Sequence, residues 1–244
     1  MMIRFLPLAA LSLGLLAGAC STSKDPVALE QNDPYEATNR DVFDFDIKLD
    51  KAVLLPAAKF YRSAVPGVAR DGIHNAIANL NAPVLFANDV FQLDGDKASN
   101  TLGRFVLNST VGMAGLVDVA AKAGMPAHAN DFGITLGKAG ASEGSYLVLP
   151  FLGPKPPRDL AGTAVDAIMD PLNYIGPGGF INGYQIAKGG LDVLDTRAAN
   201  IERLDSIERS SIDFYATTRS LYRQYRNAQI NEGKADEFGD LPNF

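Results

Sequence analysis

The chain is 244 residues long, 47% apolar and 20% charged, which gives it enough apolar side chain to bury a core and excludes disorder by composition. Acidic residues outnumber basic ones 28 to 22, and a net charge of −6 argues against a nucleic-acid partner, which would need a phosphate-neutralising basic face. One cysteine and two histidines exclude an intramolecular disulfide and a Cys/His zinc site, and no cofactor is expected.

In chain order, a short basic start (Met1 to Arg4), an apolar run over 5–16 and the small residues Ala17, Gly18 and Ala19 precede Cys20, the lone cysteine. Residues 1–19 read as a secretory signal peptide. The cysteine's placement resembles the lipobox of bacterial lipoproteins, with Ala17 where leucine is commonest. That resemblance implies cleavage before Cys20, a diacylglycerol on its sulfur and acylation of its nitrogen, including palmitate-class chains. Since roughly two membrane signals suffice for stable attachment, such a protein stays on the bilayer. Ser21 in place of aspartate resembles the outer-membrane sorting rule of Gram-negative cells. Residues 20–32 are then a lipidated tether, 33–228 a single domain and 229–244 an acidic tail. After Cys20 no charge-free run reaches the roughly 18 to 20 residues that a spanning helix needs.

The domain opens on Asp33, Pro34, Tyr35 and Glu36, which read as a capping box with Asp33 as N-cap. In the helix begun there, Glu36, Arg40, Asp44 and Lys48 form a charged row at spacing four, expected to face solvent, beside a broad apolar surface from Val42, Phe43, Phe45, Ile47 and Leu49. Further helices are predicted over 68–80, 84–93 (after Pro83), 97–109, 116–123, 160–169, 187–208 and 211–227. The glycines and prolines of 132–157 argue against a sustained helix there, with extended pieces at 134–136 and 146–151. The expected class is all-α with one Gly/Pro-rich extended excursion.

Motifs of chemistry are few. Gly140 to Gly144 match the G-x-S-x-G nucleophile elbow, which would make Ser142 an esterase or phospholipase serine. Both histidines, His74 and His128, precede it, the reverse of the order in that hydrolase fold, so a glycine-rich turn is the better account and no enzymatic activity is expected. Each histidine lacks a second ligand cluster and reads as an ordinary packed or surface residue, with no metal. No phosphate-binding G-x-x-x-x-G-K-[ST] loop is present. Arg219, Arg223 and Arg226, interleaved with Tyr215, Tyr222 and Tyr225, suit either a membrane interface among headgroup phosphates or a solvated face with its tyrosines inward. Met113 and Met125 read as core filling.

Several motifs together resemble one family. Asp33-Pro34 with Glu36, Asn39-Arg40 and Phe43-Asp44-Phe45 are similar to the opening motif of the MlaA (VacJ) lipoproteins, with Asp46 where that motif often has asparagine. Arg104-Phe105, Asn108-Ser109-Thr110, Phe132-Gly133, Thr135-Leu136-Gly137, Leu149-Pro150, Arg158-Asp159, Leu191-Asp192 and Asp195-Thr196-Arg197 come after it in the family's order. The resemblance implies a ring-like helical body, set in the periplasmic leaflet of the outer membrane around an amphipathic channel. It implies removal of phospholipids misplaced in the outer leaflet and their transfer to a periplasmic MlaC-like carrier, with trimeric porins as partners. A porin-associated scaffold without a lipid path is the alternative. Under the family reading Asn39, Arg40, Phe43, Asp46 and Ile47 form a regulatory stretch of the first helix. Lys188, near the start of its helix, where the macrodipole gives a cation no help, is expected in the channel, with a solvated surface lysine as the alternative.

Overall fold

The computed structural model describes residues 23, 25–174 and 178–231. The signal peptide, Cys20 and most of the acidic tail lie outside the described residues. A short helix α1 (Pro26–Glu30), capped by Asp25, occupies part of the expected tether and buries Ala28. Then come α2 (Glu36–Leu49), a π-helical segment over Asp50–Leu54, α3 (Leu55–Ala64), α4 (Gly67–Phe91), α5 (Gly95–Thr110), α6 (Val119–Lys122) and α7 (Phe132–Lys138). A two-residue antiparallel pair, β1 (Val148–Leu149) and β2 (Gly153–Pro154), precedes α8 (Pro157–Met169), a 3-10 turn over Pro171–Tyr174, α9 (Gly178–Ala199), α10 (Ile201–Ser210) and α11 (Phe214–Ile230). The all-α class expected from sequence holds. Among the described residues, no helix is long and apolar enough to cross a membrane.

Several local expectations are corrected. Asp33 does not cap α2: its side chain is fully buried and takes Asn39 Nδ2 at 2.7 Å and Arg219 Nη1 at 2.6 Å, while Tyr35 takes the cap position without a side-chain bond. A buried carboxylate needs charged partners more than a helix end needs a cap, which water can replace. The helices predicted over 68–80 and 84–93 are one 25-residue helix that runs through Pro83. The single helix predicted over 187–208 breaks at Asn200, whose Nδ2 donates to the Thr196 carbonyl at 2.9 Å and so competes with the backbone ladder.

The segment 134–136 is helical within α7, not extended. Its glycines permit close crossing of α8: a Cβ on Gly162 would lie 2.3 Å from Gly133 N, and a Cβ on Gly133 would lie 2.7 Å from Arg226 Nη2. Met113, expected in the core, is 66% exposed with φ +56.

One core cluster joins α2, β1 and α11 through Phe43, Tyr146, Val148, Tyr215 and Tyr222. Its rings meet edge to face, Phe43 to Tyr215 at 5.5 Å and Tyr146 to Tyr215 at 6.2 Å. A second cluster, Ala58, Tyr61, Ala198 and Ile201, seats α3 on α9 and α10.

Two arginines of α11, Arg219 and Arg226, are buried, while Arg223 is partly exposed and pairs with Glu143. Arg219 is held on Asp33, and Arg226 spans Asp131 (2.7 and 3.0 Å) and Asp159 (3.0 and 3.1 Å), with Tyr222 Oη donating to Asp159 at 2.6 Å. Burial would push the Asp159 carboxyl up, yet the bonds from Arg226 and Arg158 outweigh it and hold the group below the usual range. For Arg219 and Arg226 the surface readings give way to internal ion pairs, those of Arg226 tying α11 to α7 and α8, while the expected inward packing holds for Tyr215 and Tyr222.

Candidate functional site

The inward stripe of α2 keeps to the helical period: Asn39, Phe43, Asp46, Ile47 and Asp50 recur at spacings of three and four. Its first turns build the body. Asn39 Nδ2 donates to Asp33 and to the Tyr146 carbonyl (3.0 Å), while its Oδ1 accepts from Val148 N–H (3.0 Å), so one amide pins β1 to the helix. Arg40 is not a solvated surface charge. It bonds Asp213, the N-cap of α11, through both terminal nitrogens (3.1 and 2.6 Å) and Glu36 through Nε (2.8 Å), and it lies 4.4 Å over the Tyr215 ring.

The last turns of the same stripe reach a cavity of about 610 Å³, within the range of roughly 300–1,000 Å³ usual for ligand sites. Its walls come from α2, the π-helical segment, the β1–β2 hairpin, α9, α10 and α11. The π-helix widens the turn and brings Lys51, Val53 and Leu54 into the lining. Apolar side chains, among them Phe43, Ile47, Leu54, Val193, Leu204 and Phe214, share the wall with Asp46, Asp50, Asp205, Glu208, Lys51 and Arg197.

The charged groups are mostly paired. Arg197 holds Asp50 in a two-point bond, Nε to Oδ1 at 2.8 Å and Nη2 to Oδ2 at 3.0 Å, and Lys51 is bonded to Glu208. Two polar atoms remain buried without a partner, Nη1 of Arg197 and Oδ2 of Asp46. The other oxygen of Asp46 accepts from Phe151 N–H at 2.9 Å. Burial pushes the Asp46 carboxyl up, only partly offset by that bond. Phe151, at the hairpin tip, has φ +67, a left-handed conformation costly for a bulky residue. The Asp46 bond and an edge contact from Phe45 at 5.8 Å hold it there.

Lys188 stands apart from this cavity. It lies midway along α9 rather than near its start, and borders a separate cavity of about 480 Å³ with His128, Thr163 and Asp166. Its Nζ pairs with Asp170 at 3.2 Å, and both side chains are nearly buried, at 12% and 7% exposure. Gln185 also donates to Asp170 (3.1 Å). Although burial would raise the Asp170 carboxyl, these contacts and the Leu172 N–H hold it low. The neighbouring Gly189 and Gly190 line the larger cavity, so α9 is the partition between the two.

The histidines sit elsewhere, His74 on Asp195 at 3.1 Å and His128 on the fully buried Asp89 at 2.9 Å. Ser142 lies in the loop between Gly140 (φ +91) and Gly144 (φ +76), whose Glu143 is paired with Arg223 at 2.6 Å. Among the described residues, no three His, Cys, Asp or Glu side chains gather as a metal site.

Of the residues singled out from sequence, Asn39, Arg40 and Phe43 build the frame, and Asp46 and Ile47 line the large cavity. Asp50, Lys51, Arg197 and the hairpin tip were missed. The one signal for Asp50 was its spacing of four from Asp46.

Helices that wall a cavity both apolar and charged define a helical protein with an amphipathic cavity. Comparison with known proteins makes the class specific. The profile of the MlaA lipoprotein family matches residues 31–229. The intermembrane phospholipid transport system lipoprotein MlaA of Escherichia coli K12 is 33% identical over 235 residues, 94% of this chain and 90% of that one. Its namesake in Haemophilus influenzae is 32% identical over 94% and 91%, and an uncharacterized protein of Rickettsia felis is 32% identical over 83% and 79%. A chain solved in work on the structural basis for maintenance of bacterial outer membrane lipid asymmetry superposes with a TM-score of 0.69 at 32% identity, covering 82% of this chain and 99% of that one. The chain belongs to the MlaA lipoprotein family.

Proposed function

We propose that this protein is the outer-membrane lipoprotein of an intermembrane phospholipid transport system, removing phospholipids misplaced in the outer leaflet to keep the membrane asymmetric. In this reading it is anchored through Cys20 and seated in the periplasmic leaflet. It passes lipid through the 610 Å³ cavity to a soluble MlaC-like carrier, beside a trimeric porin and without covalent chemistry. The observation that carries the reading is the composition of the cavity wall, apolar enough for acyl chains and charged enough for a headgroup. Outward apolar side chains such as Leu93, Val68 and Ile186, exposed by 92%, 86% and 76%, fit a body in contact with lipid.

The physics gives such a path its purpose. A two-chain lipid with roughly 30 methylenes, each worth about 0.8 kcal/mol when buried, resists leaving a membrane by some 20 kcal/mol. A continuous amphipathic path lowers that barrier by never exposing the chains to water. One observation favours the scaffold reading, a porin-bound body without lipid flow: Arg197 with Asp50 and Lys51 with Glu208 are ion pairs made within the protein itself. Mass spectrometry of the protein extracted from membranes separates the two. The transport reading expects acyl chains on Cys20 and co-purified phospholipid, with phospholipid accumulating at the surface of a deletion strain. Neither co-purified lipid nor surface accumulation would leave the scaffold.

A further inference from the structure

The charge in the large cavity is unbalanced. Four carboxylates (Asp46, Asp50, Asp205 and Glu208) face two cations (Lys51 and Arg197), and both cations are committed, one to Glu208 and one to Asp50. The wall is therefore net acidic, with Asp46 contributing a carboxylate whose Oδ2 is buried and bonded to nothing. An anion entering this wall meets repulsion, whereas a cation supplies what Asp46 lacks. In a site of low dielectric, a charge-assisted bond of that kind is about twice as strong as a neutral one.

A second orphan stands close by. Arg197 spends Nε and Nη2 on Asp50, which leaves Nη1 as a buried donor without an acceptor. Asp46, in the last turn of α2, and Asp50, at the start of the π-helical segment, are four residues apart and line the same cavity. The guanidinium held by Asp50 lines the same cavity as Asp46. One unmet acceptor and one unmet donor on residues of one cavity wall match the opposite charges of a zwitterionic headgroup.

We propose that this cavity selects phospholipids whose headgroup carries a primary amine over those with anionic headgroups, Asp46 receiving the ammonium and Nη1 of Arg197 the phosphate. The inference rests on the cavity being the lipid site and names the lipid class it prefers. Asp46 is then a specificity residue, the acceptor in the wall that an ammonium headgroup can meet and an anionic one cannot.

The test uses the full acylated protein in detergent micelles, offered an equimolar mixture of phosphatidylethanolamine and phosphatidylglycerol, with bound lipid counted by native mass spectrometry. Wild type should carry the ethanolamine lipid in excess by about fivefold or more, equivalent to about 1 kcal/mol. Asp46→Asn keeps an acceptor for Phe151 N–H, so the hairpin should stay in place, while bound ethanolamine lipid falls and the excess collapses to near parity. The paired variant Asp50→Asn/Arg197→Gln keeps that contact neutral and free of a stranded charge. It should lose bound lipid of both kinds several-fold and keep the ethanolamine preference. Equal uptake of the two lipids by wild type, or an undiminished preference in Asp46→Asn, overturns the proposal. Full lipid occupancy in the paired variant removes Arg197 from it. A wild type that binds no phospholipid at all overturns the lipid-site reading itself, an outcome distinct from binding without selection.

Discussion

The crossing of α7 and α8 gives the sharpest stability prediction. A methyl group placed on Gly162 would lie 2.3 Å from Gly133 N, 2.7 Å from its Cα and 3.0 Å from Phe132 C, against about 3.5–4.0 Å for relaxed carbon contacts. All three neighbours are backbone, and that backbone is pinned: Phe132 N–H is bonded to Asp166 (3.1 and 3.2 Å) and Asp131 to Arg226. The helices must part by more than an ångström, which also stretches the Arg226 to Asp159 contacts. Overpacking of this kind costs about 1–3 kcal/mol, offset by at most about 1 kcal/mol of helix propensity gained over glycine. A net loss of about 1–2 kcal/mol lowers the melting temperature by roughly 2–8 °C in a chain of this size. Gly183→Ala is the control, since nothing lies within 4 Å of a Cβ there, and it should melt at or above wild type. Circular dichroism melts of the three proteins in one detergent decide the matter. A Gly162→Ala protein as stable as Gly183→Ala would refute the close crossing.

The Asp159 network also predicts a pH response. Its carboxyl is held below the unfolded value, so the stability it contributes is present above about pH 4 and is lost as pH falls through the lower folded value; acid melts of Asp159→Asn should show a shallower decline than wild type. Lys188→Asp sets a second carboxylate against Asp170, and phospholipid should accumulate at the cell surface. Adding Asp170→Lys restores the pair and should restore lipid removal, and failure to recover at normal abundance would make the lysine's own position the requirement. Deleting Asp46 and Ile47 rotates the two flanking parts of the helix against each other by roughly 200° at 100° per residue, which would swing Asp50 off Arg197. Deregulated lipid flow at normal protein abundance is expected, and normal surface phospholipid would contradict it.

The helices were legible in the sequence where apolar period and chain breakers agreed, as in α5 and α8. They were misread where a side chain's distant partner outweighed its local habit. Asp33 in front of Pro34 has the local form of a cap, yet its bonds to Asn39, Arg219 and Tyr215 come from residues up to 186 positions away. The α11 arginines have the spacing of a surface row, and nothing local announces Asp33 as the partner of Arg219 or Asp131 and Asp159 as those of Arg226. Glycines in 132–157 signal either an extended chain or a tight helix crossing, and only the opposing Gly162 distinguishes these. For the site, the α2 stripe pointed to Asp46 and Ile47, whereas Arg197 and Phe151 enter the cavity from elements whose approach no periodicity encodes.

If lipid moves through the cavity beside α9, a side chain built into that space should stop it. Gly190 lines the cavity, and a Cβ there meets nothing within 4 Å, so Gly190→Trp should fill open volume without disturbing a packed neighbour. The measurement is outer-leaflet phospholipid at the surface of a deletion strain that carries either wild type or Gly190→Trp at matched abundance. Wild type should clear the surface and Gly190→Trp should leave it loaded with phospholipid. Clearance by Gly190→Trp equal to wild type would contradict a lipid path through this cavity.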